Sequence, residues 1–206
     1  GKAKLKQQPE RIVIGVLSNI HMDHVAKVIS AHRGIYPHIL IELVVGDDAE
    51  LTKQLQEKKL DLILVNSTTQ GKNFTPLIAE RLCLVVPPQH AFAQQTSISL
   101  KALAGELFIE RVKCGFWQDV NDIFQQQGIE PQTVMQAEND EFVLSLVAAN
   151  LGVSIITDRV SPYDVVFIPI EDIDIDRSIG ICAPDTFSSA HVQIFYDSLL
   201  RQYELN

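Results

Sequence analysis

Cysteine is scarce in this sequence: Cys83, Cys114 and Cys182 are three in 206 residues, far apart and without a Cys-x-x-Cys pair. An odd number at such spacing excludes a disulfide framework and the common zinc pattern, so the thiols are expected to be reduced. Basic residues are also few, 17 Lys and Arg against 26 Asp and Glu, for a net charge of −9. Without the first ten residues the balance is 14 against 25. A body of that sign repels a phosphate backbone, so the chain is not expected to grip nucleic acid by itself. No apolar run approaches the roughly 20 residues that a membrane span needs. The opening GKAKLKQQPE lacks the apolar stretch of a secretion signal. A cytoplasmic protein without a membrane partner is expected. There is no Gly-x-Ser-x-Gly, Gly-x-x-x-x-Gly-Lys, Gly-x-Gly-x-x-Gly or His-Glu-x-x-His. We therefore expect no enzyme and no cofactor.

What is present is an alternation of strand-like and helix-like apolar periods. Ile12 to Leu17, Ile39 to Val45 and Leu62 to Val65 are short β-branched runs, suited to strands buried on both faces. Between them Val25, Val28 and Ile29 share one helical face closed by Gly34, and Leu51 with Leu55 follows the capping pair Asp47-Asp48. This is a βαβαβ unit with right-handed parallel crossovers. The run Leu82 to Val86 ends at Pro87-Pro88, and the pattern restarts as a second α/β unit. Its helices span Phe116 to Gln127 and Phe142 to Asn150; its strands lie around Leu107-Ile109, Val134-Ala137, Val153-Ile156 and Val165-Ile170. A last strand, Ile179 to Ala183, and a terminal helix are too small to form a lobe. They are expected to pack on one already built, so the chain crosses from lobe to lobe twice, leaving a hinge and a cleft.

Several strands end in small polar residues that open helices: Ser18-Asn19, Asn66-Ser67-Thr68, Lys113-Cys114-Gly115 and Asn139. Such residues cap helices in any α/β protein, yet ligands in open α/β sheets lie at the carboxyl ends of strands, beside helix N-termini. Arg111 and Lys113 could clamp a carboxylate there, while Glu110, Glu138, Asp140 and Glu141 would oppose an anion, which leaves the sign of a ligand open. His21 and His24 at i, i+3 lack further ligands nearby, so no metal site is expected. The acidic run Glu171 to Asp176 lacks the spacing of a calcium loop and reads as a solvated turn.

The ordered phrases RIVIGVLSNI, YPHILIELVVGDDAELTKQLQEKKLDLILV, RLCLVVPPQHAFA, ISLKALAGELFI and FVLSLVAANLGVSIIT resemble the effector-binding domain of LysR-type transcriptional regulators. The resemblance implies an α/β fold of two Rossmann-like subdomains joined by two crossover strands, the type 2 periplasmic binding protein fold. Residues 1–10 would be the end of a linker helix, 11–87 with 178–206 subdomain I, and 88–177 subdomain II. It implies a small-molecule effector held between the lobes by Ser18, Asn19, Asn66, Ser67, Thr68, Glu110, Arg111, Lys113, Cys114, Asn139, Phe142 and Thr157. DNA would be bound only through a winged helix-turn-helix domain before Gly1, and the protein would be a homodimer, or a tetramer at full length. Around ERVKCGF the family usually offers more Ser, Thr and Gly, so the effector is not specified. Cys114 stands where peroxide-sensing members carry a reactive thiol, and Lys113 with a helix N-terminus would lower its pKa. The alternatives are thus a thiol redox sensor and a transporter's solute-binding receptor on the same fold.

Overall fold

The computed structural model describes residues 10–66 and 73–204, apart from the side chains of His24 and Glu204. The chain divides into two compact units: unit 1 is Gly1–Ala79 with Ser178–Asn206, and unit 2 is Glu80–Arg177.

Unit 1 contains strands β1 (Arg11–Leu17), β2 (Leu40–Gly46), β3 (Leu62–Asn66), β4 (Phe74–Glu80) and β10 (Arg177–Cys182), with helices α1 (Asp23–Ile35), α2 (Asp48–Gln56) and α5 (Ala190–Glu204). The sheet order is β2-β1-β3-β10-β4, with β1 parallel to β2 and β3, and β10 antiparallel to β3. Strand alternation sorts its core into two layers. Ile12, Ile14, Val16, Leu62, Leu64 and Ile181 pack with Val25 and Val28 of α1 and with Val192, Phe195 and Leu199 of α5. On the opposite face Ile63, Val65 and Cys182 meet Leu51 and Leu60. The Asp47 side chain caps α2 by accepting the Glu50 N–H at 2.8 Å. Helix α1 runs through Gly34, where the sequence suggested a stop, and ends ahead of Pro37, whose ring cannot continue it.

Strand β4 has no counterpart among the expected elements. Its Pro76 reads as a breaker, but β4 is the edge of the sheet, where a missing N–H costs no ladder bond. Gly180 lies beside it, and a Cβ there would stand 2.4 Å from the Thr75 carbonyl oxygen and from the Phe74 ring.

Unit 2 contains β5 (Leu82–Val86), β6 (Leu107–Arg111), α3 (Trp117–Gln127), β7 (Gln132–Ala137), α4 (Asp140–Ala148), β8 (Ser154–Thr157) and β9 (Val166–Pro169). Strand β5 lies antiparallel between β8 and β9, and β6 is parallel to β7. The two sheets are stitched together by the Ile109 N–H donating to Val153 O, the Val153 N–H to Leu107 O, both at 2.8 Å, and the Ser154 hydroxyl to Ile109 O at 2.6 Å. Phe108, Ile109, Phe124, Val143, Leu144, Val147 and Ile155 form the middle of its core. Gly128, in the left-handed region at φ 64°, ends α3. The acidic run is used structurally: Glu171 accepts the Ser97 hydroxyl, and Asp172 accepts the Ser99 hydroxyl and the Leu100 N–H.

The chain changes unit between Ala79 and Glu80, ahead of the break suggested by Pro87-Pro88, because β5 is the middle strand of a unit 2 sheet. It returns between Arg177 and Ser178. The crossing strands β4 and β10 are neighbours, and the buried Arg177 Nε donates to Glu80 Oε2 at 3.1 Å.

His32 of α1 is 4% exposed, packed on Phe195 and Tyr36, and neither ring nitrogen has a partner among the described residues. Burial, assisted by the nearby His191, lowers its pKa below the ordinary 6.5. The unfolded chain then binds the proton more readily than the folded one, so stability is lost as pH falls below that value. Unfolding titrations between about pH 7 and 5 are expected to show this decline, and His32→Phe to flatten it.

Candidate functional site

The parallel strands of each unit deliver their carboxyl ends to one edge, and the candidate residues lie there. In unit 1, β1 ends at Leu17, and Ser18 and Asn19 lead toward α1. Neither caps that helix: its N-cap is Met22, which makes no side-chain cap bond, while His21 Nδ1 accepts the Asp23 N–H at 3.3 Å. Ser18 is exposed and Asn19 half-buried. Asn66 closes β3 and is buried; Ser67 and Thr68 lie outside the described residues.

In unit 2, β6, β7 and β8 end at Arg111, Ala137 and Thr157. These ends carry Glu110, Arg111, Lys113, Cys114, Asn139, Phe142 and Thr157. Asn139 caps α4, its side-chain oxygen accepting the Phe142 N–H at 2.8 Å, whereas α3 starts at Phe116 without a side-chain cap. Phe142 is 57% exposed and Thr157 is buried.

The charged groups are arranged differently from the clamp the sequence suggested. Arg111 is buried, its Nε donating to Asp140 Oδ1 at 2.7 Å and one terminal nitrogen donating to Val112 O. The other Asp140 oxygen is taken by Arg159, a residue the sequence reading did not single out. Lys113, in the left-handed region at φ 55°, is instead paired at the surface with Glu138. Successive strand residues point to opposite faces, and Glu110 accordingly belongs to a different network. It accepts Trp117 Nε1 at 2.8 Å, Asn121 Nδ2 at 3.2 Å and Gln136 Nε2 at 2.7 Å. Burial would raise its pKa, but these three donors outweigh burial and hold it below the usual carboxylate value. Glu141 accepts from the Tyr163 hydroxyl. The four acids expected to oppose an anion are therefore all engaged.

Cys114 is half-buried and its Sγ donates to Arg111 O at 3.4 Å. Burial pushes its thiol pKa up, with the Asp140 charge acting the same way. The N–H groups of Phe116 and Trp117 and the Arg111 charge do not offset it. This reverses the lowering expected from Lys113, whose ammonium is paired with Glu138. Cys182, in the unit 1 core, is pushed up to about 11. Neither thiol has the low pKa of a sensor.

The sequence profile of the LysR substrate binding domain family matches residues 6–204, nearly the whole chain. The chain belongs to this family, and its fold is the type 2 periplasmic-binding-protein-like fold of LysR effector-binding domains. It is 30% identical over 161 residues to the uncharacterized HTH-type transcriptional regulator YybE of Bacillus subtilis (strain 168), covering 76% of this chain and 55% of that protein. Among solved structures, the effector-binding domain of QuiR in complex with shikimate superposes with a TM-score of 0.79 at 22% identity, covering 97% of this chain and 99% of that one. The BenM effector-binding domain with its effector benzoate gives 0.75 at 22% identity, covering 95% and 93%. The chain spans 55 to 60% of the length of the first curated relatives it matches.

Two outcomes follow from this site. Asp140→Ala leaves the buried Arg111 guanidinium without its carboxylate and takes one partner from the half-buried Arg159, and urea unfolding is expected to show a loss of about 3 to 5 kcal/mol. Iodoacetamide is expected to alkylate Cys114 slowly at neutral pH in the folded protein, with a rate still climbing above the pH at which an exposed thiol levels off.

Proposed function

We propose that this chain is the effector-sensing part of a bacterial LysR-type transcription regulator. A small molecule binds at the carboxyl ends of its strands, using Ser18, Asn19 and the segment 66–68 in unit 1. In unit 2 it uses Cys114, Asn139, Phe142 and Thr157 with the neighbouring Glu110, Arg111 and Lys113. One contrast carries this reading. Helices α2 and α4 are closed by side-chain caps, whereas α1 and α3, which follow Ser18-Asn19 and Lys113-Cys114-Gly115, have none. Their N-termini set a positive dipole end beside exposed or half-buried polar residues, with the Asp23 N–H of α1 given to His21 Nδ1 and the Trp117 N–H of α3 to the Cys114 carbonyl.

The full-length protein reads DNA through an N-terminal winged helix-turn-helix domain. This is supported by the share of the relatives' length that the chain spans and by its acidic balance. The protein acts in the cytoplasm as a sensor without catalysis. No helix among the described residues is long and apolar enough to cross a membrane. It works as a homodimer, and as a tetramer at full length. Pairing is supported in unit 1 by the exposed apolar Ile35, Leu43 and Val45 along the end of α1 and the edge strand β2. An effector shifts transcription only through different affinity for two arrangements of the protein.

A thermal-shift screen of metabolites tests the binding claim. An effector at a hundred times its Kd is expected to add about 2.7 kcal/mol of stability. Ser18→Ala and Thr157→Val should each weaken that effector by about fivefold or more, the worth of one hydrogen bond, with little change in the unliganded melting temperature. Hits indifferent to both substitutions would refute the placement.

A further inference from the structure

The adjacent strands β4 and β10 carry the chain from one unit to the other and back, and a buried ion pair joins them where they meet unit 2. Its members, Glu80 and Arg177, are the first and last residues of that unit, with side chains 10% and 6% exposed. Arg177 Nε donates to Glu80 Oε2 at 3.1 Å, and one of its terminal nitrogens has no partner among the described residues. The guanidinium has a second hold. Its carbon lies 5.1 Å from the centre of the Phe116 ring, a cation–π contact.

Phe116 is itself buried and stands at the N-cap position of α3, where its carbonyl accepts the Val120 N–H at 3.0 Å. Its own N–H is one of the two that act on the Cys114 thiol. One residue thus meets the loop 112–116 with its backbone and the ion pair of the crossing strands with its ring. The contact is demanding. A buried cation that loses its counter-charge or its ring is left poorly solvated, and a flat guanidinium on a ring face has a narrower geometry than a surface pair such as Lys113–Glu138. A movement of the loop that carries the ring is therefore felt at Arg177 and Glu80, and a movement of the strands is felt at the ring.

We propose that Arg177 is a positioning residue that couples the strand-end loop 112–116 to strands β4 and β10, with Phe116 and Glu80 as its two contacts. A ligand against that loop, where the effector reading puts one, would through this residue bias the segments by which the chain changes unit. That use rests on the effector reading; the coupling itself does not.

Coupling is reciprocal, so it is read from both ends in the 206-residue chain without a ligand. At the loop, iodoacetamide alkylation of Cys114 is followed by mass spectrometry of its peptide. Glu80→Gln and Arg177→Lys, which alter the ion pair and not the thiol, are each expected to change that rate by about threefold or more. At the strands, amide hydrogen exchange of β4 and β10 is expected to change by a similar factor in Phe116→Leu. The effects of Phe116→Leu and Arg177→Lys on the strand amides should combine to less than their product in the double variant. Leu103→Ala, in the unit 2 core ahead of β6, controls for general loosening and should move neither readout as far. Unchanged Cys114 rates in both ion-pair variants, strand amides indifferent to Phe116→Leu, equal effects from Leu103→Ala, or single effects that simply multiply would each overturn the proposal. Should a variant fail to fold, the wild-type chain capped at Cys114 with N-ethylmaleimide takes its place, and its β4 and β10 amides must then exchange differently from those of the uncapped chain. The effector reading is judged apart. A metabolite whose binding falls with Ser18→Ala or Thr157→Val upholds it even where no coupling appears, and coupling beside metabolite hits indifferent to both substitutions sinks that reading alone.

Discussion

A single buried carboxylate organises the carboxyl edge of unit 2. A buried carboxyl group needs hydrogen-bond donors around it, and Asp140 has two guanidinium partners, Arg111 from the end of β6 and Arg159 from beyond the end of β8. Asp140 itself opens α4, so one side chain ties a helix start to two strand ends. The geometry of the loop 112–116 follows. With Arg111 drawn inward and donating to Val112 O, the chain turns through a left-handed Lys113, which carries its ammonium outward to Glu138. Cys114 is then folded back against the Arg111 carbonyl. The electrostatic character of the edge therefore arises in the interior, where screening is weak, and the exposed Lys113–Glu138 pair contributes little to it.

How far this was legible in the sequence depends on distance along the chain. The parallel strands of unit 1 and the helices between them were readable because the evidence is local: β-branched runs, apolar residues at helical spacing, Asp47 before α2, Gly128 after α3. Strand β4 was missed because Pro76 argues against a strand, and only the sheet order shows that this strand is an edge. The Ala79/Glu80 crossing was misplaced for a related reason. Pro87-Pro88 is a conspicuous local break, but the partners of β5, which decide its unit, are β8 and β9, some 70 to 85 residues on.

At the strand ends, the polar residues were legible and their hydrogen-bond partners were not. Ser18, Asn19, Lys113, Cys114 and Asn139 could be found because polar residues directly follow apolar runs. That Asn139 is a cap while Ser18 and Asn19 are not depends on backbone geometry. That Arg111 serves Asp140, 29 residues away, and that Arg159 joins them depends on three strand ends meeting, which no spacing rule encodes. The sign of the Cys114 shift was misjudged for the same reason: a charge neighbour and a helix start are visible in sequence, whereas burial is not, and burial wins. Family membership carries the fold with it.

The proline in β4 bears on more than strand assignment. A five-stranded sheet has two borders, and each is a potential template for intermolecular growth. On one border Pro76 offers no amide hydrogen, which makes that side a poor docking rail for a foreign strand. The other border, β2, has no proline and bears Leu43 and Val45 outward. Unit 1 thus has unlike borders for strand addition, one interrupted by a proline and the other not.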